Sequence, residues 1–140
     1  MPRITGTSHV DLTVSDLDRS IAFYEKALGA AQVLRTRVED HKFEVAYLAE
    51  PQSGAILGLV QHDQRPLAKF DPRVAGLDHI AFAVDDPEEL HAWARHLDAA
   101  GIAHNGYSDQ APVGAGLNFS DPDGIALEFY WISPAILPAS

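Results

Sequence analysis

Residues 78–84, which read DHIAFAV, alternate between two kinds of side chain with period two. This alternation is typical of a half-buried β-strand. Ile80, Phe82 and Val84 form one face, which suits a core beneath a helix. His79 lies on the other face together with two alanines. The stretch therefore predicts a strand that presents one imidazole on the side away from the core.

A second copy of this pattern lies near the N-terminus, where residues 8–14 read SHVDLTV. His9 and His79 are 79 − 9 = 70 residues apart, which is half of the 140-residue chain. The same offset relates Asp16 to Asp86, Phe23 to Trp93, and Gly54 to Gly124. Internal similarity at a fixed period indicates a structural repeat. We therefore predict two tandem modules in one domain.

Each module is predicted to have the order βαβββ, which makes the fold class α+β. Module one covers about 7–62 and module two about 77–132, with a connector over 63–76. In module one the predicted elements are strand 8–14, helix 17–28, and strands 31–38, 42–48 and 55–61. In module two they are strand 78–84, helix 87–100, and strands 103–108, 117–119 and 125–131.

Composition limits the classes of partner and compartment. A formal net charge of −10 argues against nucleic acid or an anionic membrane as the partner. The chain has no cysteine, which excludes a thiolate metal site. The sequence shows no signal-peptide pattern and no apolar stretch long enough to span a bilayer. We expect a cytoplasmic protein whose partner is a small-molecule substrate.

Glu128 lies in the middle of the last predicted strand, on the face opposite the core residues. A carboxylate at such a place is costly unless it is paired or binds a metal. One interpretation is an ion pair with Arg35 or Arg37. If instead the two sheets face a common cleft, His9, His79 and Glu128 converge there. Two imidazoles and one carboxylate suit a divalent ion such as Fe(II), Mn(II), Ni(II) or Zn(II).

The repeat also identifies a missing ligand. The first-module counterpart of Glu128 is position 128 − 70 = 58, which is Gly58. A symmetric site would hold two histidines and two carboxylates, so this site has one more open position. The side chains predicted to line the cleft and bind substrate are Asp11, Tyr47, Asn118 and Tyr130. For Asp11 two further interpretations stay open, a hydrogen bond to a ligand histidine or a solvated edge residue.

The two histidine stretches over residues 8–14 and 78–84, together with the turn and strand over residues 121–129 (DPDGIALEF), resemble the vicinal oxygen chelate superfamily. That group includes glyoxalase I, extradiol dioxygenases, fosfomycin-modifying thiol transferases, methylmalonyl-CoA epimerase and bleomycin-resistance proteins. The resemblance covers about residues 7–132. It implies that the family's metal positions fall at His9, Gly58, His79 and Glu128. It also implies a divalent metal that chelates two neighbouring oxygens of a substrate, and a homodimer.

Departures from the family pattern bear on the reaction. Glyoxalase I and the epimerase use a glutamate at the position of Gly58, whereas extradiol dioxygenases use two histidines and one glutamate. The fosfomycin enzymes carry a lysine-containing loop that residues 106–114 lack. The resemblance therefore favours an Fe(II) dioxygenase-like activity on a small vicinal-dioxygen compound, with His62 as acid–base catalyst. The alternatives are a glyoxalase-like lyase or isomerase and a metal-free drug- or metabolite-binding protein.

Overall fold

The two halves of the chain fold as separate βαβββ units in the computed structural model, which describes residues 1–64 and 68–139. The chain divides after Lys69 into two compact units. This arrangement confirms the predicted α+β class and the tandem modules. The connector predicted over 63–76 includes residues 65–67, which lie outside the described residues.

The first unit consists of one helix and one four-stranded sheet. Its elements are β1 (Val10–Thr13), α1 (Leu17–Leu28), β2 (Ala31–Val38), a 3₁₀ turn (Glu39–His41), β3 (Phe43–Ala49) and β4 (Ile56–His62). The strand order is β1-β4-β3-β2. β1 runs parallel to β4, and the other neighbours are antiparallel. The parallel pair requires a crossover connection, which α1, β2 and β3 provide.

The second unit repeats this arrangement. Its elements are β5 (Ile80–Ala83), α2 (Pro87–Ala99), β6 (His104–Gln110), β7 (Gly114–Ser120), β8 (Ala126–Ile132) and a terminal 3₁₀ turn (Pro134–Ile136). The strand order is β5-β8-β7-β6, with β5 parallel to β8. No helix within residues 1–64 and 68–139 is long and apolar enough to cross a membrane.

Equivalent aspartates begin both helices. The Asp16 side chain accepts a hydrogen bond from the Arg19 N–H at 3.0 Å, and the Asp86 side chain accepts one from the Glu88 N–H at 2.8 Å. Such N-caps satisfy backbone donors that have no partner inside the helix. α1 ends at Gly29, whose φ of 66° lies in the left-handed region that glycine adopts at little cost.

In the first unit, contacts with α1 identify the two faces of the sheet. Gln61 accepts a hydrogen bond from the Leu17 N–H at 2.7 Å, so the Gln61 side chain lies on the helix side. Because side chains alternate along a strand, Gly58 lies on the opposite face. Asp11 is the register partner of Gly58 and shares that face. We call this face, opposite the helix, the distal face.

In the second unit, aromatic stacking identifies the faces. Trp93 of α2 stacks on Phe129 of β8 with ring centroids 4.1 Å apart. Phe129 is 2% exposed and belongs to the core. Its neighbours Glu128 and Tyr130 therefore lie on the distal face. The prediction that the carboxylate faces away from the helix is confirmed by this geometry.

Four strands differ in length from their predictions. β1 and β5 are shorter than the predicted strands 8–14 and 78–84, and they begin directly after His9 and His79. β6 extends past residue 108 to Gln110, and β7 begins at Gly114 rather than at residue 117. A Cβ at Gly114 would lie 2.0 Å from the Trp131 carbonyl oxygen. Glycine is disfavoured in strands by propensity, yet here it permits close approach of the neighbouring backbone.

Candidate metal centre

His79 and Glu128 form a pair on the distal face of the second sheet. His79 Nε2 lies 3.1 Å from Glu128 Oε1. The Glu128 side chain is 12% exposed and that of His79 is 46% exposed, so the pair is reachable from solvent through the imidazole. The strand partner of Glu128 on β5 is Ala81, which has a small side chain. The two predicted ligands of this half are therefore brought together.

The other ring nitrogen of His79 is held by its sequence neighbour. Asp78 Oδ1 lies 2.6 Å from His79 Nδ1. This hydrogen bond raises the pKa of His79, partial burial opposes the rise, and the charge of Glu128 adds to it. A carboxylate on Nδ1 fixes the ring orientation and leaves Nε2 to face Glu128, as in many metal-binding histidines.

The first unit contains a similar arrangement around His9. Ser8 Oγ lies 3.1 Å from His9 Nδ1, and Asp11 Oδ1 lies 3.9 Å from His9 Nε2. The Tyr47 ring meets the His9 ring edge to face, with centroids 5.9 Å apart. Each unit therefore presents an imidazole with one nitrogen held by the preceding residue and the other near a carboxylate.

Strand register places three other predicted cleft residues on the distal faces. Tyr47 is the β3 partner of Gly58, and Asn118 is the β7 partner of Glu128. The Tyr130 hydroxyl donates a hydrogen bond to Gln110 Oε1 at 3.1 Å. Their role in substrate binding stays a prediction.

His62 lies at the end of β4, where it pairs with Phe43. It shares the face of Gly58, as predicted from parity, but lies four residues further along the strand. At about 3.3 Å per residue this is about 13 Å from Gly58. The ring of His62 instead meets the Phe43 ring at a centroid distance of 5.5 Å. Its predicted role as acid–base catalyst stays a prediction.

The alternative ion pair of Glu128 with Arg35 or Arg37 is wrong. Arg35 binds Glu44 and Asp18 through its guanidinium. Arg37 likewise binds Asp63 and Glu39. Both arginines are therefore engaged by acidic groups of their own unit, and the charged partner of Glu128 is His79.

The three predicted ligands do not all lie in one unit. His79 and Glu128 belong to the second unit and His9 to the first. Within the described part of the chain, no three His, Asp or Glu groups form a cluster that could hold a metal ion. Each unit by itself supplies one imidazole and one carboxylate. The three-ligand assignment therefore stays a prediction.

Sequence reasoning missed two residues that hold the histidines. Ser8 and Asp78 each contact the Nδ1 atom of the histidine that follows. Their signal was present, because both precede the repeated histidine by one position and both have side-chain oxygens. Gln110, the partner of Tyr130, was also missed. It lies on a strand that sequence reasoning ended at residue 108.

Comparison with known proteins adds to this geometry. A relative from Haemophilus influenzae, "Lactoylglutathione lyase", is 32% identical over 127 residues, which cover 86% of this chain and 88% of the relative. The "Putative ring-cleaving dioxygenase MhqA" of Bacillus subtilis is 26% identical over 94% of this chain, which spans only 41% of that relative. A crystal structure of a "glyoxylase/bleomycin resistance protein/dioxygenase domain" from Frankia sp. EAN1pec superposes with a TM-score of 0.84, at 33% identity, covering 94% of this chain and 95% of that one. The family model "Glyoxalase/Bleomycin resistance protein/Dioxygenase superfamily" matches residues 6–129. This chain belongs to that superfamily.

Proposed function

We propose that this chain is a metal-dependent enzyme that acts on a small molecule through two neighbouring oxygen atoms of that molecule. The observation that carries the proposal is the pair formed by His79 Nε2 and Glu128 Oε1, 3.1 Å apart on the distal face. The proposed protein ligands are His9, His79 and Glu128. Imidazole nitrogen and carboxylate oxygen suit several divalent ions, of which Fe(II) is favoured and Mn(II), Ni(II) and Zn(II) are accepted.

The chemistry of the donors fits such an ion. Two ligand atoms that bind one ion at about 2.1 Å lie between about 3 and 4 Å apart, depending on the angle between the bonds. The 3.1 Å separation of His79 and Glu128 lies in this range. A bound ion would supply Lewis-acid polarisation of the substrate oxygens.

The residues around the pair have separable roles in this proposal. Asp78 holds the His79 ring through Nδ1 and so fixes the direction of Nε2. Asn118, the strand partner of Glu128, supplies an amide that can donate to a substrate oxygen. Tyr130, held by Gln110, supplies an aromatic surface on the same strand as Glu128. Together these groups bind and orient the substrate.

The finer proposal is an Fe(II) dioxygenase-like reaction on a vicinal-dioxygen compound such as a catechol. It is supported by the set of two imidazoles and one carboxylate, and by the absence of a side chain at Gly58. The similarity to a relative named as a ring-cleaving dioxygenase is consistent with it. His62 is the proposed acid–base catalyst of this reaction.

A glyoxalase-like lyase or isomerase is the second candidate. One observation favours it specifically. The carboxylate of Asp11 lies over Gly58, so the first unit has a carboxylate close to the place where the lyases of the family carry their glutamate. The Haemophilus influenzae relative, of which the match covers 88%, is named as a lyase.

The proposal includes a small-molecule substrate and a homodimer. In a homodimer, His9 from one copy is able to serve the same ion as His79 and Glu128 from its partner. Mixing a His9→Ala variant with a His79→Ala variant tests this arrangement. Metal binding that reappears in the mixture supports a site shared between two copies. A mixture that still binds no metal supports ligands from one copy.

Metal analysis and two substrate assays test the proposal. Protein purified without chelator is expected to contain or take up about one divalent ion per site. His79→Ala and Glu128→Gln are expected to abolish this binding, and His41→Ala, in the 3₁₀ turn, serves as the control. Catechol-dependent O₂ uptake supports the dioxygenase, and anaerobic turnover of a glutathione hemithioacetal supports the lyase. Failure to bind Fe(II), Mn(II), Ni(II) or Zn(II) contradicts the proposal.

A further inference from the structure

The carboxylate near the histidine lies on the first strand of the parallel pair in one unit and on the last strand in the other. In the first unit, Asp11 of β1 is the register partner of Gly58 of β4. In the second unit, Ala81 of β5 is the register partner of Glu128 of β8. These positions correspond at the 70-residue offset, since 11 + 70 = 81 and 58 + 70 = 128. Each pair therefore holds one carboxylate and one small residue, in exchanged order.

The Asp11 carboxylate fills the space that a side chain at position 58 would need. A Cβ built on Gly58 would lie 2.0 Å from Asp11 Oδ1 and 2.7 Å from Asp11 Cγ. It would also lie 3.0 Å from Tyr47 Cε1. The absence of a side chain at Gly58 is therefore matched by a carboxylate that reaches the same place from the neighbouring strand.

The Asp11 carboxylate lies near the Nε2 atom of His9, as the Glu128 carboxylate lies near the Nε2 atom of His79. Asp11 Oδ1 lies 3.9 Å from His9 Nε2, as Glu128 Oε1 lies 3.1 Å from His79 Nε2. Adjacent ligands of a six-coordinate ion bound at about 2.1 Å lie about 3 Å apart, so the 3.1 Å pair matches this spacing and the 3.9 Å pair is wider than it by about 0.9 Å. The Asp11 side chain is 37% exposed, so it is open to a ligand.

We propose that Asp11 is a metal ligand, and that it supplies the first-unit carboxylate that Gly58 cannot. This inference rests on the metal site of the proposed function and adds a fourth protein donor to it.

Binding of Mn(II) to the full chain, followed by the electron paramagnetic resonance signal of free Mn(II), tests this assignment without any substrate. Asp11→Asn keeps the size of the side chain and removes its charge, and is expected to raise the Kd for Mn(II) at least about tenfold. Glu25→Gln, on α1, makes the same chemical change elsewhere and is expected to leave the Kd unchanged.

An exchange variant separates a ligand from a residue that only orients His9. Asp11→Ala combined with Gly58→Glu moves the carboxylate to β4, which reproduces the order of Ala81 and Glu128. A ligand role predicts that this variant binds Mn(II) more tightly than Asp11→Ala alone. Asp11→Glu, which keeps a carboxylate on β1, is the second variant if the exchange does not fold.

The outcomes distinguish the two levels of the proposal. Wild-type protein that binds no Mn(II) overturns the metal-dependent function and the inference with it. Wild-type binding that is lost in Glu128→Gln but unchanged in Asp11→Asn overturns only the role of Asp11. Folded exchange and Asp11→Glu variants that both bind as weakly as Asp11→Ala also overturn the ligand assignment, and leave Asp11 as a residue that positions His9.

Discussion

Trp93 stacks on Phe129 at a centroid distance of 4.1 Å with the ring planes inclined by only 15°. This contact joins α2 to β8, the strand that carries Glu128. Phe119 also stacks on Phe129, with ring centroids 5.1 Å apart. Because side chains alternate along β8, the burial of Phe129 fixes Glu128 on the distal face. The core of the second unit thereby positions the proposed ligand.

Phe129→Ala is expected to reduce the free energy of unfolding by about 3–5 kcal/mol, because it leaves a cavity beside two aromatic rings. Urea denaturation followed by circular dichroism measures this change. Val113→Ala removes an apolar side chain that is 45% exposed and is expected to change stability by less than about 0.5 kcal/mol. A loss below 1 kcal/mol for Phe129→Ala contradicts the packing described for this strand.

Asp78→Asn is expected to lower the pKa of His79 in the metal-free protein, because the Asp78 carboxylate is the main cause of the raised value. Protonated His79 stabilises the fold below its ordinary pKa of 6.5, and this contribution is lost as the pH rises through the folded-state value. Nuclear magnetic resonance titration of the His79 ring measures the shift. Asp85→Asn is the matched control, and a His79 titration that Asp78→Asn leaves unchanged contradicts the assignment.

Asp16→Ala and Asp86→Ala are each expected to reduce the free energy of unfolding by about 1 kcal/mol, since each removes an N-cap. Denaturation of the two single variants measures the costs. Asp16→Asn and Asp86→Asn keep a side-chain acceptor and are the controls, with losses expected to be much smaller. Equal losses for the alanine and asparagine variants contradict a capping role and indicate a charge effect.

Most of the fold was predictable from local patterns. The helix over 17–28 and the strand over 31–38 match the structure to the residue. Capping residues and turn glycines mark these ends directly in the sequence. β7 was predicted too short because its first residues, Gly114–Gly116, have low strand propensity, while the reason for glycine lies in the close approach of β8.

The candidate site was predictable where the repeat provided a second copy or where a carboxylate interrupts a row of core residues. His9 and His79 stand out because they recur at the same offset, and Glu128 because a carboxylate alternates with core residues. The relation between Asp11 and Gly58 was not predictable, because it depends on the pairing of β1 with β4 across 47 residues of chain. The sequence shows that position 58 lacks a carboxylate, but it does not show that Asp11 fills the space there.

A double-mutant cycle tests the contact between Asp11 and Gly58 independently of any metal. Gly58→Ala is expected to reduce the free energy of unfolding by about 1 kcal/mol, because its Cβ would lie 2.0 Å from Asp11 Oδ1 and the partly exposed Asp11 side chain would have to rotate away. In an Asp11→Ala background the same substitution is expected to cost much less, since the obstructing carboxylate is gone. Urea denaturation of the four proteins gives the coupling energy, for which at least about 0.5 kcal/mol is expected. Additive losses contradict this contact, because they would mean that the space above Gly58 is not filled by Asp11.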